Sequence, residues 1–221
     1  MKHSFTIIFL LSLSISSYAQ FEKGGKQVGG VLSAFQNQSK NGFTTSDGFI
    51  RSTESTVTEI QILPRLGFFV NDNISVGFGL GYSRISSSST QVAVNEQTFD
   101  TKSVTSTLQV VFFSRFHKSI SDDFSFFIQP TATGSFGSSL VGTDDPLEAD
   151  VLGYGIGVSP GFVFMVSEKF GLEATFGRLG YSRQTQTFEE SDTDDAIKNI
   201  NTNYGIDISL RTFELGLQYY F

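Results

Sequence analysis

Acidic, basic and amide side chains recur at every second position along several segments of this chain, alternating with apolar residues. Side chains two positions apart lie on one face of a β-strand, so each segment has a polar face opposite an apolar one. Carboxylates and guanidinium groups on an enclosed face must pair, because an isolated charge away from water is very costly. The pattern therefore predicts an interior polar network. Its predicted members are Glu59, Arg65, Gln109, Arg115, Gln129, Glu173 and Glu214, with Gln61 and Gln218 on the same faces.

Nucleophilic and metal chemistry has little support in the sequence. Cysteine is absent, which excludes disulfides, thiolate metal sites and cysteine nucleophiles. Acidic clusters at 144–150 and 189–195 could offer oxygen ligands to divalent cations, but they match no EF-hand loop, and solvated loops are the alternative. Gly153, Gly155 and Gly157 lie inside a predicted strand and open no helix, so they are not a nucleotide fingerprint. We predict no catalytic residue, no metal site and no cofactor.

The N-terminus has the composition of a secretory signal. Lys2 and His3 precede an apolar run from Phe5 to Ile15, and small residues precede Gln20. The run is roughly 11 residues long, whereas a membrane-spanning helix needs about 20. We predict a signal peptide over residues 1–19, with cleavage after Ala19, and a single domain over residues 20–221.

Composition narrows the class of that domain. The formal net charge of the chain is −7, which argues against nucleic acid as a partner. The mean hydropathy is −0.02, a low value for a helical membrane protein but the expected one where half of every strand is polar. Phenylalanine and tyrosine are abundant, as in the aromatic girdles of membrane barrels.

Alternation predicts eight strands separated by connections of two kinds. The strands begin near Gln27, Val57, Ile74, Ser103, Phe124, Val151, Phe170 and Tyr204. Short turns at 71–73, 118–123 and 167–169 alternate with long polar loops at 36–56, 86–102, 137–150 and 183–203. Apolar residues shift from even to odd numbers in the last strand, which predicts a β-bulge at Arg211 or Thr212. A β-sandwich, the alternative, gives no reason for the two loop lengths.

The chain ends with strictly alternating residues and a terminal aromatic. One face of this segment holds Phe213, Leu215, Leu217, Tyr219 and Phe221. An apolar face toward lipid and a polar face toward an interior are typical of outer-membrane strands. We predict an all-β fold, an eight-stranded antiparallel up-and-down transmembrane β-barrel in the bacterial outer membrane. Short turns and both termini are expected in the periplasm, and the long loops outside the cell.

This arrangement resembles the small outer-membrane barrels of the outer-membrane protein X and outer-membrane protein A barrel-domain type. It is also similar to the outer-membrane β-barrel domain labelled porin family. The resemblance spans residues 20–221 and is architectural. It implies contact with outer-membrane lipids and lipopolysaccharide, and it implies that the barrel-assembly machinery reads the aromatic face of residues 213–221 as an assembly signal.

Three functions remain open from the sequence. The first is a non-enzymatic structural or interaction role, as an accessory subunit beside other outer-membrane proteins or as a surface-recognition barrel. The second is a small passive pore, because glycine-rich inward faces leave space. The third is a lipid A-modifying enzyme. The resemblance includes barrels with this activity, and those enzymes use a histidine near the outer leaflet. His117 is predicted to be an interfacial polar residue at the periplasmic end, which disfavours this third function.

Overall fold

A computed structural model describes residues 21–44, 50–92, 98–143, 146–188, 197–208 and 214–221. The predicted signal peptide, Phe213, and the predicted bulge at Arg211 or Thr212 lie outside these ranges, as do Asp144, Asp145 and the acidic residues of 189–195. No helix within the described ranges is long and apolar enough to cross a bilayer.

The described residues form ten strands. They are β1 (Lys26–Thr44), β2 (Ile50–Asn71), β3 (Ile74–Val92), β4 (Thr98–Ser119), β5 (Phe124–Val141), β6 (Leu147–Met165), β7 (Phe170–Thr175), β8 (Arg178–Phe188), β9 (Ile197–Asp207) and β10 (Glu214–Tyr220). Each of the first six pairs antiparallel with the next, and β6 pairs with both β7 and β8. Strands β7 and β8 therefore continue one line of the wall, and β9 and β10 continue another.

The ring closes between the first and the last strand. Residues Gln27 to Val31 of β1 pair antiparallel with Gly216 to Tyr220 of β10. Since β10 also pairs with β7, the wall is an eight-stranded antiparallel up-and-down β-barrel. This confirms the predicted fold class. Farther along, the described part of β1 pairs with β2, and β9 pairs with β8.

A one-residue bulge separates β7 from β8. Gly161 of β6 faces Thr175 and Val158 faces Leu179, so three steps on β6 correspond to four on its neighbour. Gly177, in the gap, has a φ of 70°, a left-handed conformation that glycine adopts without a steric penalty. The sequence analysis did not predict this bulge.

The outer face of the wall carries an apolar belt. Along β6, for example, exposed Leu152 and Ile156 alternate with buried Val151 and Gly155. On β2 the belt runs from Ile60 to Phe68, roughly 26 Å along the strand or about 20 Å of height at a tilt of about 40°, which is comparable with a lipid-facing band about 25 Å tall. The belt residues are between 42% and 68% exposed: Leu32, Ile60, Ile62, Leu66, Phe68, Phe78, Leu80, Leu108, Phe112, Phe116, Ile128, Phe136, Leu152, Ile156, Phe164, Leu172, Leu179, Leu215 and Leu217.

The prediction of four long loops is wrong. Within the polar segments at 36–56, 86–102, 137–150 and 183–203, the described residues continue the strands in pairs, as far as Thr44 and Ile50, Val92 and Thr98, Val141 and Leu147, and Phe188 and Ile197. We call each of these pairs of strands a hairpin. Between two neighbouring hairpins, Glu54 to Thr58 of β2 pair with Ser86 to Thr90 of β3. Serine and threonine occupy both faces there, so no hydrophobic alternation signals a strand although the backbone pairing continues.

The barrel therefore has two unlike ends. The terminal end holds Phe21, Phe221 and the short turns. The hairpin end holds the four hairpins. At the terminal end, Asn71 Oδ1 accepts from the Asn73 amide at 2.9 Å and Asp72 Oδ1 accepts from the Lys23 amide at 2.9 Å. Strands β2 and β4 are each 22 residues long, and since a tilted strand crosses a bilayer in about 9–11 residues, the hairpins project well beyond the apolar belt.

Candidate functional site in the barrel interior

An ion pair between Arg115 and Glu173 lies across the middle of the barrel interior. The Arg115 guanidinium donates through Nη1 to Glu173 Oε2 at 2.7 Å and through Nη2 to Oε1 at 3.1 Å. Its Nε donates to Gln129 Oε1 at 2.6 Å. The side chains of Arg115 and Glu173 are 0% and 1% exposed. A bidentate, charge-assisted pair of this kind is among the strongest hydrogen-bonded arrangements, and it brings β4, β5 and β7 together across the lumen.

Arg65 lies beside this pair but is held less closely. Its Nη1 is 3.4 Å from Gln129 Oε1 and 3.6 Å from Glu173 Oε1, and its Nη2 is 3.7 Å from Glu214 Oε2. Glu214 Oε2 also accepts from the Thr175 hydroxyl at 3.4 Å. The two arginines and two glutamates balance in charge, which satisfies the requirement that buried charges be paired.

A layer of aromatic and apolar side chains closes the lumen on the terminal side of the network. The buried cluster consists of Phe21, Phe69, Phe127, Val163, Met165 and Tyr220. The Phe21 ring stacks on Phe69 with centroids 5.0 Å apart. The Arg115 guanidinium carbon is 4.7 Å from the centroid of the Phe127 ring, a cation–π contact that joins the layer to the network. The lumen is thus filled by side chains, as is usual for eight strands.

On the hairpin side of the network the lumen widens into a chamber of about 610 Å³. Its inward-facing charged residues are Glu59, Glu214, Arg65 and Arg178. Arg183 also borders it, but its register partner is Tyr154, which is 55% exposed on the outer face. Hydroxyl groups come from β1, β5, β6 and β8, and amides come from Gln61, Gln109, Gln129, Gln184 and Asn203. The chamber is polar and carries no excess charge on its inward face.

Comparison with known proteins gives a structural likeness only. No protein-family model matches the chain, and no curated protein matches it in sequence. Among solved structures, the chain is similar to the outer membrane protein OprG from Pseudomonas aeruginosa, with 12% sequence identity and a TM-score of 0.43. The match covers 93% of this chain and 99% of the OprG chain.

All seven residues predicted for the interior network face the lumen, and six of them make polar contacts there. Glu173, Arg115, Gln129, Arg65 and Glu214 form the central network. Gln109 lies higher in the chamber, where its Oε1 accepts from Gln61 Nε2 at 2.9 Å. Glu59 also lines the chamber, but within the described ranges it forms no ion pair.

The sequence analysis did not predict the aromatic layer. Phe69 shares the parity of Arg65, Phe127 that of Gln129, and Tyr220 that of Gln218, so alternation alone would have placed these rings inside. His117 was predicted as an interfacial residue, and this is wrong. It is 5% exposed, its ring centroid is 4.6 Å from that of Phe21, and its Nε2 is 3.3 Å from the Ser75 hydroxyl.

Arg178, Gln184 and Asn203 of the chamber were missed for a different reason. Residues 183–203 were assigned to a loop, and Arg178 lies just past the bulge, where the alternation changes phase. The Arg178 side chain extends over Gly157, where a β-carbon would lie 2.8 Å from its Nε. The glycines of the Gly153–Gly157 segment therefore provide interior space.

The predicted assembly signal lies mainly on the outer wall at the terminal end. Leu215, Leu217 and Phe221 are 63%, 60% and 58% exposed, whereas Tyr219 is partly covered. The Tyr219 ring contacts Phe170 at 4.9 Å and Phe221 at 5.7 Å between centroids. These contacts form an aromatic patch at the terminal edge of the apolar belt.

Proposed function

We propose that this protein is a bacterial outer-membrane β-barrel with a structural or interaction role and no catalytic activity. The supporting observation is the filled lumen, in which the Arg115–Glu173 pair spans the interior and the aromatic layer lies beneath it. A barrel closed at this level has no continuous water path, so its contacts with other molecules are made by its outer wall and its hairpins.

The apolar belt supports insertion in a membrane. The hairpins beyond the belt support a role in recognition, because a rigid scaffold that projects into water can present side chains to a partner. We place the terminal end in the periplasm and the hairpin end outside the cell. Outer-membrane lipids, lipopolysaccharide and a neighbouring outer-membrane protein are the proposed partners, and the barrel-assembly machinery acts during biogenesis.

The position of His117 supports a non-enzymatic role. The ring lies in the aromatic layer at the terminal end and is 5% exposed. A general base must reach the proton that it removes, directly or through one water. His117 lies on the terminal side of the network, and in the described structure its Nδ1 has no hydrogen-bond partner that would orient it as a base.

Planar-bilayer recording of the refolded mature chain tests the closed lumen. We expect the wild type to give no stable conductance. The Arg115→Ala/Glu173→Ala variant should stay closed by the aromatic layer, and conductance steps should appear when Phe69→Ala and Phe127→Ala are added, because both obstructions are then removed without leaving an unpaired charge. Lys40→Ala, which removes an exposed pair with Glu54, is the matched control and should stay silent. Steady current through the wild type would make the protein a small pore.

Affinity purification from native outer membranes, with a tag at the N-terminus of the mature chain, tests the interaction role. We expect an outer-membrane protein to co-purify in fixed proportion in mild detergent. A monomer that is silent in bilayers and purifies alone would contradict the accessory-subunit role and leave surface recognition.

A further inference from the structure

The chamber on the hairpin side of the network has the size of a small-molecule site. Its volume of about 610 Å³ falls within the range of roughly 300–1,000 Å³ that is usual for such sites. Gly153 and Gly155 on one wall contribute no side chain to fill it. Larger inward side chains at these positions would close the space, as Phe127 and Val163 do below.

Arg65 forms part of the chamber floor and has hydrogen-bonding capacity to spare. It is 3% exposed, and its Nε has no hydrogen-bond partner in the described structure. A guanidinium group has five N–H donors, yet the single hydrogen bond in the described structure is the 3.4 Å contact with Gln129. The neighbouring Arg115 donates three hydrogen bonds between 2.6 and 3.1 Å. Because Nε is enclosed, the donors available to a ligand are those of Nη1 and Nη2 on the side of Arg65 that lines the chamber. An acceptor placed there would be stabilised, since these donors make a single long hydrogen bond in the described structure.

Acceptors and amides lie above Arg65. The Glu214 side chain is 39% exposed and is 3.7 Å from Arg65 Nη2. Gln61 donates to Gln109, which leaves the Gln61 carbonyl oxygen and the Gln109 amide nitrogen for a further partner. Donors and acceptors thus stand side by side on the chamber wall. Groups that donate and accept at one atom, as a hydroxyl does, fit such a wall.

The charges of the chamber favour a neutral occupant. Glu59 and Glu214 balance Arg65 and Arg178 among its inward-facing residues. An anion placed on Arg65 would lie close to the carboxylates of Glu214 and Glu173, and a cation placed on Glu214 would lie close to Arg65. Like charges within a few ångströms disfavour both arrangements.

We propose that the chamber binds a small, neutral molecule rich in hydroxyl groups, of the size of a mono- or disaccharide. This inference rests on the proposed function, because the network below must close the lumen for the chamber to hold a ligand rather than pass it. Arg65 donates to a ligand hydroxyl, Glu214 accepts from one, and the free amide atoms of Gln61 and Gln109 bind others.

Saturation-transfer NMR and calorimetry on the refolded mature barrel test the proposal with four probes. Maltose and glucose are neutral, glucuronate is anionic, and glucosamine is used at a pH where its amine is charged. We expect the neutral sugars to bind and the charged analogues to bind more weakly. Gln61→Leu/Gln109→Leu should weaken maltose binding roughly tenfold, because the hydrogen bonds of two amide side chains to the sugar are lost.

The matched control is Gln38→Leu, which removes an amide on the exposed part of β1 outside the chamber. It should leave the Kd for maltose unchanged. Asn203→Leu, on a different strand, provides a second lining variant if the double variant does not refold. Tighter binding of a charged analogue, absence of binding by both neutral sugars, or an equal loss in Gln38→Leu would overturn the proposal. A wild type that is silent in bilayers but binds no sugar contradicts this inference alone, whereas a conducting wild type contradicts the closed barrel.

Discussion

Two arginines a few ångströms apart in the interior illustrate how differently the same side chain can be held. Arg115 is bidentate on Glu173, bonded to Gln129, and placed over the Phe127 ring. Arg65 has three contacts between 3.4 and 3.7 Å. The first arrangement engages every nitrogen of the guanidinium, and the second leaves a guanidinium with unused donors at the chamber floor.

The Arg115–Glu173 pair gives a prediction about stability. Arg115→Met leaves the Glu173 carboxylate buried with Arg65 as its remaining cation, and loss of one partner of a buried pair typically costs about 3–5 kcal/mol. We expect a loss of that order in the free energy of unfolding, measured by urea titration in lipid vesicles. Arg115→Met/Glu173→Met should lose less than Glu173→Met and Arg115→Met added together, because no buried charge is stranded.

The exposed Lys40–Glu54 pair provides the control for this measurement. Its side chains are 70% and 54% exposed, and exposed pairs contribute about 0–1 kcal/mol. Lys40→Ala should therefore change the unfolding free energy very little. Strict additivity of the two methionine substitutions would show that Arg115 and Glu173 are not energetically coupled.

At the scale of the strand, each long element has two parts with different surroundings. Strand β3 has alternating exposed apolar and buried small residues from Phe78 to Ser83, and then a serine-rich part from Ser86 to Thr90. Its backbone pairing with β4 runs through both parts without a shift. The composition of the strand changes because its outer face leaves lipid, while the hydrogen-bonded ladder stays the same.

Lysine substitutions along β3 should report where the hydrocarbon ends. Leu80 is 58% exposed within the apolar belt, and a lysine near the middle of a lipid face destabilises a barrel by about 2–4 kcal/mol. We expect a loss of this size in Leu80→Lys and less than about 1 kcal/mol in Ser86→Lys, which lies beyond the belt. Unfolding in vesicles of defined thickness measures both. Equal losses would place Ser86 in the hydrocarbon.

The division of each strand into a belt part and a hairpin part also explains which strands the sequence predicts. In the belt, apolar residues alternate with polar or small ones, so the strand cores and the inward facing of Glu59, Arg65 and Glu173 can be predicted. In the hairpins both faces meet water, so residues 36–56 and 86–102 carry no such signal and were assigned to loops. The bulge at Gly177 could not be predicted for another reason. One added residue reverses which positions face outward, and this reversal can be detected only where apolar alternation continues on both sides of it.

At the scale of the whole molecule, the belt, the network and the aromatic layer occupy the terminal half of the barrel. The hairpins add height without adding to that buried interior. In the hairpin formed by β1 and β2, for instance, the described residues after Gln36 and before Thr58 form backbone pairs with the adjacent strands. The two halves should therefore tolerate change very differently.

Shortening one hairpin tests this division. Replacing residues 37–57 by an Asn-Gly turn joins Gln36 to Thr58, which already face each other in the register, and Asn-Gly suits a two-residue hairpin connection. We expect a membrane-inserted barrel that unfolds cooperatively, with the β-sheet signal in circular dichroism reduced in proportion to the residues removed. A chain that fails to insert would show that the hairpin is needed for folding.

The pairing of Gln27 with Tyr220 joins the two ends of the chain, and Phe21 packs against Tyr220 beside this seam. Contacts between residues so distant in sequence form slowly, because loop-closure entropy must be overcome first. The cylinder therefore cannot close until β10 has reached its place between β7 and β1. Until then both of these strands keep an unpaired edge, which is a template for aggregation with another chain.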